Sequence, residues 1–204
     1  MDDVFSPSPP TDTNPRHGPS PGAARRRLRL LALVVAALLG AIVAPAPAAA
    51  ATRLVLPDGT ARPQPYQSWI DRSLVPTPAG TVTLHLAPCP YHWDGGVACA
   101  DRTDRAIYLG PGGRSRAVLL HELGHIFDAA VLTDAARGKL AVALGARGAW
   151  DDQSRSSAPL ELFADAYSVC ARHRTIRAVY YASNGYVAGP RQHRRACGLI
   201  RAAV

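Results

Sequence analysis

The five residues His121-Glu122-Leu123-Gly124-His125 constrain this chain more than any other segment. Two histidines at positions i and i+4 share a face only if the backbone between them is α-helical, so the pattern demands a helix. On that face both imidazoles can converge on one zinc ion, with Glu122 beside them. Zinc lowers the pKa of bound water towards ~7, and an adjacent carboxylate can take that water's proton during attack on a carbonyl. Glu122 is therefore the candidate general base. With this chain's own frequencies of histidine and glutamate, the pattern would arise by chance in roughly 0.2% of shuffled chains.

The flanking sequence supports the helix. Gly110-Pro111-Gly112-Gly113 ends a preceding strand, and Ser115 is placed to cap a helix whose apolar positions Leu119, Leu123, Ile126 and Ala130 recur at helical spacing. Gly124 in mid-helix costs about 1 kcal/mol relative to alanine, and close approach of another element near the metal would account for it.

A third ligand is needed, and glutamate usage narrows the choice. Of 15 acidic residues, only Glu122 and Glu161 are glutamates. Glu161 falls on a helix predicted to start at Pro159, with Ser157 as its cap, and to run to about Ala171. Asp165 lies one turn later on the same face, so one carboxylate can reach the metal while the other accepts a hydrogen bond from a ligand imidazole. The neighbours Leu160, Leu162, Phe163, Ala164, Ala166 and Tyr167 are too apolar for a freely exposed helix.

These residues resemble the gluzincins, thermolysin-like metallopeptidases with His-Glu-x-x-His on one helix and Glu-x-x-x-Asp on a later one. The resemblance covers roughly residues 105–170. It implies a zincin-like fold in which His121, His125 and Glu161 hold zinc, Glu122 is the base, Asp165 orients an imidazole, and strand 105–109 borders the cleft as the edge that receives an extended peptide. The chain departs from thermolysin in having Leu160 where an asparagine stands. It also lacks the large C-terminal helical lobe that carries a histidine for the transition state, so Tyr180, Tyr181, Tyr186 and His193 are candidates for that task on chemistry alone. Asp165 as third ligand would resemble the aspzincins, but their Gly-Thr-x-Asp context is missing.

Outside the motif, residues 1–24 are poor in large apolar side chains and predict a disordered segment. Arg25, Arg26, Arg27 and Arg29 then precede an uncharged run from Leu30 to Val43 and small residues with Pro45 and Pro47, so 25–51 reads as a signal peptide cleaved within Ala48–Ala51. An uncleaved anchor with the catalytic domain outside is the alternative, and no stable membrane span remains if the signal is removed. Residues 52–204 form the predicted catalytic domain.

Five arginines against three aspartates precede residue 52, so the net charge of +8 falls to +6 for the remainder. The arginines are scattered without aromatic interleaving, which argues against nucleic acid and fits solubility or adhesion to an anionic cell envelope. Cys89, Cys99, Cys170 and Cys197 follow the leader, and proximity favours Cys89–Cys99 and Cys170–Cys197 disulfides.

Residues 52–80 read as an extended entry with a short helix at 66–74. Thr81–Leu86 and Arg105–Leu109 alternate as neighbouring strands, and helices are expected over 133–144 and 190–203. The fold class expected is α+β, with a small mixed or antiparallel sheet and two ligand-bearing helices. The function expected is a secreted zinc peptidase acting on peptide or protein by zinc-activated water. Its rivals are a cell-wall-directed zinc hydrolase and a non-catalytic, zinc-stabilised envelope-binding protein.

Overall fold

A computed structural model describes residues 51–91, 97–152 and 158–204. The segment 1–24, the leader before Ala51 and Ser157 lie outside the described residues; the cap position of the helix that starts at Pro159 is Ala158 rather than the expected Ser157, and no side chain caps it. Strands β1 (Thr52–Val55), β2 (Gly80–His85), β3 (Ala98–Asp101) and β4 (Ala106–Leu109) form a mixed sheet in the order β1-β2-β4-β3. β1 pairs with β2 and β2 with β4 in parallel, whereas β3 runs antiparallel to β4. Helix α1 (Tyr66–Asp71) lies in the β1–β2 crossover. Four longer helices follow: α2 (Arg116–Val131), α3 (Asp134–Leu144), α4 (Pro159–Arg172) and α5 (Pro190–Arg201). A two-stranded hairpin, β5 (Tyr180–Tyr181) with β6 (Val187–Ala188), comes between α4 and α5. The class is α+β.

Local chemistry sets the ends of these helices. Ser115 accepts from the Val118 amide at the start of α2 and Thr133 from the Ala136 amide at the start of α3, each satisfying an amide that the first helical turn leaves without a partner. Gly145 ends α3 in the left-handed conformation. Pro159 opens α4, where its missing N–H costs nothing.

The core lies between the sheet and α2. Leu54, Val82, Leu84, Ile107 and Leu109 are fully buried on the strands, as are Leu119, Leu120, Leu123 and Phe127 on α2. Every residue from Leu119 to Asp128 is buried, so α2 is central, covered on several sides, rather than amphipathic. Ala130, expected on the core stripe, is exposed: the helix emerges from the core after Asp128, and small apolar residues tolerate solvent.

The expected neighbours β2 and β4 do pair, but β4 is not the edge next to α2's site. It is interior, and the unforeseen β3 takes the edge on that side. The Cys89–Cys99 disulfide ties β3 to the chain leaving β2, and Cys170–Cys197 ties α4 to α5. Both expected pairings are present.

α2 and α4 pack tightly at Gly124. A Cβ there would lie 3.0 Å from the Cα of Ala164 and 3.2 Å from the Cβ of Tyr167. The glycine's cost in helix propensity is offset by the approach it permits. Asp128, one turn further on, is buried and fixes α3 and the following loop to α2: Arg137 donates to it through Nε at 2.8 Å and Trp150 through Nε1 at 3.0 Å.

Gly124→Ala should gain about 1 kcal/mol of helix propensity and lose more than that to overpacking, which typically costs about 1–3 kcal/mol. The net loss, near 1 kcal/mol and read as a lower midpoint in urea, rests on the obstacle being backbone of α4 rather than a movable side chain. An unchanged or raised midpoint would mean that the helices are not in contact there.

Candidate metal centre

The approach of α2 to α4 brings three side chains to one point. His121 and His125 face the same way from α2, and their Nε2 atoms are 3.3 Å apart. Glu161, from the first turn of α4, places Oε2 3.2 Å from His121 Nε2 and Oε1 3.5 Å from His125 Nε2. A four-coordinate tetrahedral ion with bonds of about 2.1 Å needs ligand atoms separated by about 3.4 Å, which these edges bracket. The three form a group able to hold a metal ion.

Asp165 stands behind the site. Its Oδ1 lies 3.0 Å from His121 Nδ1. A carboxylate can only accept, so in the neutral ring Nδ1 carries the proton and the Nε2 lone pair points at the other ligand atoms. The sequence-expected residues His121, Glu122, His125 and Asp165 are all buried, and Glu161 is partly exposed, which leaves one side of the group open.

Electrostatics describe a site built for a cation. Burial disfavours a charge on His121, yet the hydrogen bonds to Asp165 and Glu161 and the nearby Glu122 outweigh it and raise its pKa to about 10. Burial likewise opposes the charge on Glu161, and the hydrogen bonds from His121 and His125 overcome it and hold its carboxyl well below the usual carboxylate range. Imidazole and carboxylate bind a metal ion only when deprotonated, so affinity for a metal falls with falling pH.

Asn184 escaped the sequence reading. It sits at the tip of the β5–β6 hairpin, where its amide N–H donates to Asp165 Oδ2 at 2.8 Å and its Nδ2 comes within 3.4 Å of His121 Nε2. The signal was there: Asn184-Gly185 between Tyr180-Tyr181 and Tyr186-Val187 is a strong hairpin signature, and Gly185 takes the φ of +91° that such a turn requires.

Of the four proposed transition-state donors, Tyr180 and Tyr181 line a pocket of about 470 Å³ beside His121. Tyr186 and His193 are not brought to it. Tyr186 is buried in the core, and His193 is turned to the carbonyl of His173 at 2.9 Å beside the Cys170–Cys197 bridge. Cys170, His193 and Cys197 also lie within metal-binding range of one another, but both sulfurs are engaged in a disulfide. Comparison with protein-family models finds no match, and comparisons with curated proteins and with solved structures find none either.

If Asp165 fixes the His121 ring, Asp165→Ala should weaken metal binding about 10- to 100-fold while leaving one site per chain. Glu161→Ala should go further and abolish stoichiometric binding. Titration against a chromophoric chelator measures both, and equal affinities in wild type and Asp165→Ala would remove Asp165 from the site.

Proposed function

We propose that the chain is an exported zinc peptidase of zincin-like fold, related in its site to the gluzincins. The observation that carries this reading is the convergence of three side chains: His121 Nε2 and His125 Nε2 lie 3.3 Å apart, and the Glu161 carboxylate spans them with Oε2 3.2 Å from the first and Oε1 3.5 Å from the second, with Glu122 buried nearby. Two imidazoles and one carboxylate suit zinc, and three protein ligands rather than four are the mark of catalytic sites. When bound, zinc supplies Lewis acidity that polarises a carbonyl and acidifies water.

The chain's own residues supply the rest. Glu122 accepts a proton from the attacking water and passes it to the leaving amine. Asp165 keeps His121 in one tautomer and orientation. The Asn184 side-chain amide, held beside His121 by the backbone bond to Asp165, would donate to the oxygen of a polarised carbonyl in place of the tyrosines and His193. The antiparallel edge strand β3, rather than interior β4 (Ala106–Leu109), would border an extended peptide, and Val97, immediately before β3, lines the pocket.

Export agrees with two disulfides, which persist in oxidising compartments, and among the described residues no helix is long and apolar enough to cross a membrane. A cell-wall peptide as substrate is favoured by the +6 charge of residues 52–204, which would hold the enzyme on an anionic envelope.

Glu122→Gln is the deciding variant. It should keep one zinc per chain and lose at least about 100-fold in peptide hydrolysis, the usual contribution of a general base. Assay of casein, mixed peptides and cell-wall peptide distinguishes the substrates. Zinc bound by the wild type without hydrolysis of any of them would favour a non-catalytic, zinc-stabilised binding protein.

A further inference from the structure

The pocket beside His121 continues along α4 to Arg172, which forms no ion pair with a carboxylate among the described residues. Glu161, Asp165, Ser168 and Arg172 fall at successive intervals of four, three and four residues, so they share one face of α4. Asp165, Ser168 and Arg172 line the pocket with Tyr180 and Asn184 of the hairpin segment. Arg172 Nε donates to the Ser168 carbonyl at 3.1 Å, which folds the guanidinium back one turn towards the metal group. It therefore lies level with Ser168, about 10 Å along the helix axis from Glu161.

The guanidinium is held in place by its surroundings. Nη2 donates to the Tyr180 hydroxyl at 3.2 Å, and the group lies 5.9 Å from the centre of the Tyr180 ring. Nη1 has no hydrogen-bond partner among the described residues, and no carboxylate pairs with Arg172 there. Asp165, further back on the same face, is engaged by His121 and Asn184, and Arg116 adds a positive charge close to Arg172. Arg116 is held below the ordinary arginine range by burial and by Arg72 and Arg172, and its Nε is buried without a partner among the described residues. A half-buried guanidinium in a cleft, near a second arginine and fixed by neutral acceptors rather than by a carboxylate, is an arrangement that can recognise an anion.

Resting on the peptidase reading above, we propose that Arg172 is a specificity subsite for a substrate carboxylate. An extended peptide advances about 3.5 Å per residue, so the carboxylate sits two or three residues from the bond cleaved. It is either an acidic side chain or the free C-terminus; both present the same two oxygens to the fork of Nη1 and Nη2. Tyr180 positions Arg172, and the exposed Tyr181 borders the entrance.

The test uses full-length Glu122→Gln protein, which binds without cutting, and three probes: acetyl-tetraalanine amide, the same peptide as the free acid, and the amide with glutamate in its third position. Dissociation constants come from NMR titration, and zinc content is measured on the same samples. At least one acidic probe should bind about tenfold or more tightly than the neutral amide, as expected for a charge-assisted bond. Added Arg172→Gln should remove the preference, and Arg172→Lys should retain part of it. Preference for the free acid alone assigns the C-terminus, and preference for the glutamate probe assigns a side chain. Equal affinity for all three probes in the parent protein overturns the subsite, whatever Arg172→Gln does to folding. Carboxylate preference in a protein that takes up no zinc would support the subsite and contradict the metal reading, whereas zinc without preference would do the reverse.

Discussion

Everything at this site depends on how closely α2 can approach α4. The histidines belong to one helix and the carboxylates to the other, and a shift of one ångström between them would take the ligand edges outside the range a tetrahedral ion accepts. Gly124 permits that approach by presenting no side chain to Ala164 and Tyr167. The Cys170–Cys197 bridge and the Asp128–Arg137–Trp150 contacts hold the surrounding helices and loop in support. The packed helices thus carry the groups that could hold a metal ion, while the hairpin brings Asn184 to Asp165 and His121.

Much of this was legible in the sequence because short-range chemistry specified it. Ser115 and Thr133 cap as their spacing from the apolar positions implies, and i, i+4 geometry puts His121 beside His125 and Glu161 on one face with Asp165. The scarcity of glutamate pointed to Glu161 without any fold. What stayed hidden depended on tertiary context. β1 lies in a proline-rich stretch read only as an extended entry, and β3, Ala-Cys-Ala-Asp, has no large apolar residue to alternate; β3 pairs because β4 offers it an edge and Cys99 anchors it. Ala130 kept the helical period but lies beyond the buried span of α2. Asn184 was readable as a hairpin tip, yet nothing in its neighbourhood of sequence says that the tip folds onto Asp165.

The arrangement also separates tasks physically. His121, His125 and Asp165, bonded to one another, and the buried Glu122 beside them lie where low dielectric strengthens their interactions, whereas Glu161 and the pocket leave one side accessible. A purely structural ion would gain nothing from that accessible side. His121, Asp165, Ser168, Arg172 and Asn184 line one pocket, so the proposed metal group and the proposed carboxylate subsite would share a single cleft.

The central claim is the ligand set, and the most direct measurement is a crystal structure of zinc-loaded protein with anomalous data at the zinc edge. The account predicts one zinc bonded at about 2.0–2.2 Å to His121 Nε2, His125 Nε2 and Glu161, with the remaining position not filled by protein. A zinc ion at any other position, or a fourth protein ligand closing the site, would contradict it.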